Sequence, residues 1–433
     1  MRFPGQRKRT HFFPGGQAAQ VQTAADSGSE APAYDVVGID QTILDVVLQC
    51  DDGVLSRFGL GKRCSVHMPE DALNEIYRFG HERGLIRSSL AGGAVGNTLH
   101  NYSVLSGRES LLLGAMSQNI HPADSAFRYI RTTSPLVNLE HMLTLDGPIG
   151  RAITFVSQDG ERSFAIAPGI ANEYQASALP IHLIRRASCA VASLYLFRSR
   201  SAPVYDAQMA LMGTAWDAGV PVILSLGLAA LVREQRGLSC EILKTCVTVA
   251  AMNAEEACAL TGTDNPMLAL DEILDWTDMA MITAGGKGLF IGGWVDEDNR
   301  RETDYELCSQ GIADYSRYEY SRVQRRTDCR RPMKIYTHID PYLGGPRRIA
   351  STNGAGDAAL AAVIHDVCAN AYSLRHMPGS EKHLHPYLTY SSVAQIAKYA
   401  NSVCYEVLKH PPRLLTAEGL SLGEQEPSPA PSP

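Results

Sequence analysis

Between residues 187 and 284 the chain alternates. Apolar runs near 187–197, 220–226, 246–252 and 278–284 are interspersed with helical stretches at about 205–218, 254–262 and 268–276. Short apolar runs bounded by turn residues read as buried strands, and helices between them supply the crossovers that parallel strands require. This pattern restricts the fold to an α/β class: a mixed, mostly parallel central sheet flanked by helices. In open sheets of this kind ligands gather where strands end, so the residues that follow each strand are the ones to inspect.

The same sheet extends on either side of that block. Tyr34-Asp35-Val36-Val37-Gly38-Ile39-Asp40 reads as a first buried strand that delivers an acid at its end, and helical patterns follow at about 69–83 and 94–105, with a strand over 110–116. Residues 151–166 form two strand-like runs around Asp159-Gly160, a strong hairpin signal. An antiparallel ribbon of this kind cannot join a parallel sheet, so the 151–167 hairpin is expected to leave the main body as part of a small β lid. Strands are expected again at 288–294 and 334–340, and a long helix at 389–409. Between them, about 295–333 is crowded with Arg, Asp, Glu and Tyr and reads as a surface insertion. Its Arg325, Arg326, Arg330 and Arg331 are interleaved with acids, which fits a solvated loop better than a basic binding loop. Residues 1–32 and 417–433 lack hydrophobic periodicity and read as a flexible leader and a disordered Pro/Ser-rich tail around a single folded unit, 33–416.

Composition removes several classes of function. A net charge of −7 and a pI near 6.0 give no concentrated positive field for nucleic acid or an anionic membrane. The longest uncharged apolar stretch, 218–232, is broken by Pro221 and is shorter than the roughly 20 residues that cross a bilayer. The 10 cysteines contain no C-x-x-C pair and several lie in apolar runs, which suits reduced thiols in the cytoplasm. No secretory signal is visible behind Arg7-Lys8-Arg9.

Five strand-end stretches carry candidate chemistry. Thr352-Asn353-Gly354-Ala355-Gly356-Asp357 feeds a run of strong helix formers, Ala358 to His365. Glycines free the backbone to bend there, and the first helical turn offers unpaired N–H groups and the positive end of the macrodipole to an anion. Asp357 is then either an ordinary capping acid or a base facing a phosphoryl group. Asp40 presents two acceptor oxygens suited to vicinal hydroxyls. Ala91-Gly92-Gly93-Ala94-Val95-Gly96-Asn97 is a glycine turn entering a helix. Thr283-Ala284-Gly285-Gly286-Lys287-Gly288 lets backbone approach phosphate but lacks the P-loop spacing, so Lys287 is no Walker lysine. Asn253 and Glu256 suit either a capping box or a metal-bound water network.

The order of these sites resembles the ribokinase-like family of sugar and nucleoside kinases across about residues 34–409. Gly354-Ala355-Gly356-Asp357 with its helix is the most specific part. Val37 to Thr42, Gly96 to Ser103, Asp146 to Arg151 and Tyr342 to Pro346 are similar to the branch that acts on inosine and guanosine. The resemblance implies Mg²⁺-dependent transfer of the ATP γ-phosphoryl group to a ribose 5′-hydroxyl. Asp357 would be the base, and the N–H groups of Gly354, Ala355 and Gly356 the anion hole. Asp40, Gln41, Thr42, Asp45, Gly92, Gly93, Gly96 and Asn97 would hold the nucleoside, with Arg198 toward its purine or phosphate end. Gly227, Asn253, Thr283, Ala284, Gly285, Gly288, Asn353 and Asn401 would line the ATP site, and Asn253 with Glu256 would order Mg²⁺ through water. Members of the family often carry Asp before the motif's Thr, and some use it near potassium; this chain has Ser351, which counts against a K⁺ site. The partners implied are a small-molecule nucleoside and ATP. The lid hairpin could pair with its copy in a homodimer or close alone. Alternatives within the same fold are an adenosine or sugar kinase, or a nucleoside-binding regulator without turnover.

Overall fold

Val36-Val37-Gly38-Ile39 contains no polar side chain, and it lies at the heart of a sheet buried on both faces. The computed structural model describes residues 34–62, 64–122, 124–302, 315–341 and 354–409. Its major sheet has nine strands in the order Pro332–Ile339, Leu289–Asp296, Met279–Thr283, Val249–Asn253, Val222–Ser225, Cys189–Ser193, Val36–Ile39, Ser110–Leu113 and Val137–Asn138. All neighbours are parallel except the two pairs made by Leu289–Asp296. Alternate side chains enter opposite cores. Val36, Val191, Ile223 and Met281 meet the helices Ala355–His376 and Val393–Lys409, whereas Val37, Ala190, Leu224 and Ile282 meet Pro203–Asp217, Arg236–Cys246 and Pro266–Leu274. Each such aliphatic side chain contributes roughly 1.5–3 kcal/mol on burial.

Val36–Ile39 pairs with Cys189–Ser193 on one side and Ser110–Leu113 on the other. The chain therefore reverses its direction of travel across the sheet at this strand, and the crevice beyond its end is where ligands bind in such sheets. Gly38 lets the helix Ala94–Ser106 sit close on it: a Cβ there would lie 2.6 Å from Val95 Cγ1 and 2.8 Å from the Val191 carbonyl.

A separate smaller sheet holds Ser65–His67, Arg162–Ala167, Gly150–Val156, Ile43–Gln49 and Ile86–Ala91, in that order. The hairpin expected around Asp159-Gly160 is present, with Gly150–Val156 and Arg162–Ala167 antiparallel. Burial alternates along Ile43–Gln49: Leu44, Val46 and Leu48 are buried, and Ile43, Asp45 and Val47 only partly. Helix Glu70–Glu82 contributes Leu73, Ile76 and Gly80 to the same core. Gly80 is close enough that a Cβ would sit 2.5 Å from Leu48 Cδ1.

Two expectations change. The strand foreseen over 110–116 divides at Gly114 into Ser110–Leu113 and Ala115–Ser117, which belong to different sheets. The cause is local: a Cβ at Gly114 would lie 2.8 Å from the Asp40 carbonyl. The segment 295–333, read as a surface insertion, is partly interior. Ser321, Val323 and Gln324 are buried, Gln324 accepts a hydrogen bond from Asp296 N and donates its N–H to the Trp294 carbonyl, and Arg322 donates to Thr389 O and Asn370 Oδ1. Its arginines do pair with acids and backbone, as a solvated loop would: Arg331 with Glu297 and Asp298, Arg325 with the Gly219 carbonyl. The leader, the tail and residues 303–314 lie outside the described residues. Among the described residues no helix is long and apolar enough to cross a membrane, and nine cysteines are free.

Candidate active site

The crevice beyond Val36–Ile39 is lined first by Asp40. Its own N–H donates to the Leu113 carbonyl at 3.0 Å, so the strand pairing holds the residue in place. The carboxylate turns onto the start of helix Ala94–Ser106, where Gly96 N donates to Oδ2 at 2.6 Å, while Gln41 N donates to Oδ1 at 2.8 Å. Asp40 is 2% exposed, and burial raises its pKa to about 7 despite the N–H donors, with Asp357 adding to the rise.

The glycine pair is explained by two acids. At Gly93, whose φ is 94°, a Cβ would lie 2.3 Å from Asp40 Oδ2; at Gly92 it would lie 2.5 Å from Asp45 Oδ2. Any side chain larger than hydrogen would displace a carboxylate. Asp45 comes from the smaller sheet, so that sheet closes one side of the crevice.

Asp357 enters from a third element. Gly354 caps helix Ala355–His376 in a left-handed conformation, φ 78°, and places Asp357 in the first turn. Asn97 Nδ2 donates to Asp357 Oδ2 at 3.2 Å, linking two helix starts that are 260 residues apart in sequence. Burial raises the Asp357 pKa to about 7, the Asn97 hydrogen bond opposes this, and Asp45 and Glu256 reinforce it. Among the described residues a Cβ built on Gly356 meets nothing within 4 Å. The first-turn N–H groups have no partner within the helix and the dipole favours negative charge there.

The opposite wall is built from mutual satisfaction. Asn253 caps helix Ala254–Thr261 in a full capping box: Glu256 N donates to Asn253 Oδ1 at 2.9 Å and Asn253 N to Glu256 Oε2 at 3.0 Å, with Asn253 Nδ2 to Glu256 Oε1 at 2.7 Å. The capping-box reading is the one the hydrogen bonds satisfy; Glu256 is also 3% exposed, and burial raises its pKa to about 7. Gly227, at φ 76°, lies against the Tyr195 ring, and the Tyr195 hydroxyl donates to its carbonyl at 2.8 Å. Thr283 ends a strand, and Ala284 N and Gly288 O close the following turn at 2.8 Å, with Gly285 at φ 53°. Gly288 is required by strand packing, since a Cβ would lie 2.0 Å from the Ile339 carbonyl. Asn401 Nδ2 donates to the Asp340 carbonyl at 3.0 Å. Asn353, Thr352 and Ser351 lie outside the described residues.

Three predicted substrate residues are placed differently from the rest. Thr42 is fully buried and donates its hydroxyl to the Ala115 carbonyl, so it braces the turn after Asp40 rather than lining the crevice. Gln41 Nε2 donates to Asn172 Oδ1 at 2.6 Å. Arg198 is exposed and its Nη1 lies 3.0 Å from Nε2 of His67, an edge residue of the smaller sheet. Tyr195 and Tyr129 join the crevice without any candidate motif around them. Both are phenols whose pKa burial raises, further raised by the crevice carboxylates, and nothing in the local sequence marks them.

Among the described residues no group of three or more His, Cys, Asp or Glu side chains could hold a metal directly. The donor set instead suits a cation bound through water. Glu256 is a nearly buried carboxylate beside Asp357, and burial without a counter-charge disfavours its ionised form, so added positive charge there is favourable.

No protein-family profile matches the chain. The guanosine-inosine kinase of Escherichia coli (strain K12) is 42% identical over 416 residues, 96% of each chain. Among solved structures, adenosine kinase from Sinorhizobium meliloti superposes with a TM-score of 0.65 at 18% identity, covering 90% of this chain and 98% of that one. Arabidopsis thaliana ribokinase, complexed with ribose and ATP, gives a TM-score of 0.53 at 15% identity over 90% and 98%. These two likenesses show the ribokinase fold.

Proposed function

The chain belongs to the guanosine-inosine kinase family of ribokinase-like enzymes, and on that basis we propose that it transfers the γ-phosphoryl group of ATP to the 5′-hydroxyl of guanosine and inosine, with Asp357 as the base. The observation that carries the assignment of roles is the Asn97–Asp357 contact. It joins the helix that begins at the ribose-holding glycines to the helix whose N-terminus receives the phosphoryl group.

In this reading Asp40 and Asp45 accept hydrogen bonds from the ribose hydroxyls. Both oxygens of Asp40 accept backbone N–H groups, which fixes its direction and still leaves acceptor capacity for substrate. The 5′-hydroxyl then lies toward Asp357, which takes its proton as the bond to phosphorus forms. A carboxyl group with a pKa near neutrality is suited to this, being ionised often enough to act and basic enough to hold the proton. The N–H groups of Gly354, Ala355 and Gly356 face the charge that grows on the transferred phosphoryl group. Thr283 to Gly288, Gly227 and Asn401 frame the nucleotide, and Asn353 belongs to the same proposal. Glu256 and Asn253 would hold Mg²⁺ through water; the ion, when bound, neutralises phosphate charge. A K⁺ site is not part of the proposal. The smaller sheet acts as a lid that excludes water from the crevice and so limits ATP hydrolysis. Purine salvage in the cytoplasm is the setting that suits these substrates and the free cysteines.

The test is ADP release across inosine, guanosine, adenosine, cytidine, ribose and fructose. Guanosine and inosine should exceed the other four by about tenfold or more in kcat/KM. Activity confined to adenosine or fructose would refute the substrate assignment.

A further inference from the structure

Two groups at the corner between Asp40 and Asp45 are not explained by the fold. The first is Gly96, the third residue of helix Ala94–Ser106, which unlike Gly93 has no positive φ. A methyl group there would meet Asp40 Oδ2 at 3.4 Å, the Tyr129 hydroxyl oxygen at 3.5 Å and Leu112 Cδ2 at 3.7 Å, all ordinary van der Waals distances. Alanine is the better helix former at such a position. Neither backbone nor packing therefore calls for glycine, and the space it leaves is bounded by a carboxylate, a phenol and an apolar wall.

The second is the Tyr129 hydroxyl. Tyr129 lies on helix Ser125–Thr132, which is pinned to this corner because Thr132 Oγ1 accepts the N–H of Ala91, the residue before Gly92-Gly93, at 2.7 Å. The residue is 1% exposed, yet among the described residues its hydroxyl makes no hydrogen bond. Ser89 Oγ, on strand Ile86–Ala91, is sealed without a partner; the Tyr129 oxygen is not sealed, so the little surface this residue keeps includes its polar atom. A buried phenol ordinarily finds a partner for its O–H. Burial first, then Asp40 and then Asp45, hold its pKa above the usual phenol value, so it stays a proton donor.

The missing partner and the missing methyl group meet at one place, beside Asp40 Oδ2. A ligand hydroxyl that gives its single proton to an ionised carboxylate keeps lone pairs on its oxygen, and a donor on the far side completes its bonds. We infer that the Tyr129 hydroxyl binds the ribose, donating to the oxygen of the hydroxyl that Asp40 accepts from, and that Gly96 is glycine to leave room for that oxygen. The inference rests on the nucleoside reading above. The chain of bonds runs one way, from Tyr129 O–H to the ribose oxygen and from the ribose O–H to Asp40. Loss of that hydroxyl from the substrate strands a buried phenol and a buried carboxylate together, so the corner selects a ribose against its deoxy form.

The test is phosphorylation of guanosine, 2′-deoxyguanosine and 3′-deoxyguanosine by the full chain and by two variants. The wild type should favour guanosine over the analogue that lacks the bridged hydroxyl by about 10²-fold in kcat/KM. Tyr129→Phe should lower kcat/KM for guanosine about tenfold, chiefly through KM, and leave that analogue within about twofold, because it has no oxygen for the phenol to reach. Unchanged guanosine kinetics, or an equal loss for all three nucleosides as packing damage would give, overturns the inference. Gly96→Ala serves if Tyr129→Phe fails to fold: its denaturant midpoint should not fall, since alanine suits the helix, while its KM for guanosine should rise about tenfold. A guanosine KM unmoved by that methyl group also overturns it. A wild type that phosphorylates none of the three overturns the nucleoside reading and this inference with it, whereas a working kinase indifferent to Tyr129 and Gly96 overturns the inference alone.

Discussion

On the wall of the crevice proposed for the nucleoside, Asp40, Asp45 and Asp357 converge from three elements, with glycines cleared for two of them and repulsion among them. On the wall proposed for the nucleotide, Asn253 and Glu256 satisfy one another in a capping box, Tyr195 satisfies Gly227, and the turn after Thr283 closes on itself. The first wall is electrostatically unfinished until a ligand arrives; the second is complete as a frame. Buried carboxylates that lack a counter-charge cost stability, and active sites are where such costs are retained. Changes on the nucleoside wall should therefore appear mainly in catalysis, and changes on the nucleotide wall in folding as well as in the response to Mg·ATP.

The largest effect should follow Asp357→Asn. Turnover should fall by about 10² to 10⁴ while nucleoside affinity stays within several-fold, read by kcat against a directly measured Kd. Gly93→Ala comes next. A methyl group 2.3 Å from Asp40 Oδ2 must move the carboxylate, and a displacement approaching 1 Å should lower kcat/KM for the nucleoside by about 10²-fold, with little change in the KM for ATP. An equal rise in the KM for ATP would erase the distinction between the walls. On the other wall, Asn253→Ala removes the cap and should cost about 1 kcal/mol in denaturant unfolding, and, because the amide is also proposed to hold Mg²⁺ through water, it should raise the Mg²⁺ concentration that gives half-maximal rate.

The same contrast explains what could be read from the sequence. The major-sheet strands are buried on both faces, so Val36-Val37-Gly38-Ile39 and Met279 to Thr283 stand out as apolar runs. The hairpin announced itself through Asp159-Gly160, but its neighbours did not. Ile43–Gln49 is apolar on both faces except for Asp45 and Gln49, because its outer face lines the crevice, and the expected alternation is hidden. Ile86–Ala91 carries Arg and two Ser and looks like a loop until its partners are known. Asp357, Asn97 and the capping box were visible as motifs with local physical meaning. The reason for Gly92 and Gly93 was not, since the carboxylates they accommodate come from far away in the chain, Asp40 just after a strand of the major sheet and Asp45 within a strand of the smaller one. Thr42 misled for the same reason: adjacency to Asp40 in sequence suggested the crevice, and burial against Ala115 removed it.

In the proposed reaction Asp357 is a base whose pKa its surroundings have brought to about 7. The direct measurement is kcat/KM for guanosine against pH under saturating Mg·ATP. The base works only when ionised, so the profile should fall as pH drops below about 7, more steeply than a single proton requires because Asp40 titrates near the same value. Asn97→Ala, which removes the hydrogen bond that favours the ionised form, should move that limb to higher pH. A profile flat down to about pH 5, the behaviour of an ordinary carboxylate, would contradict the account.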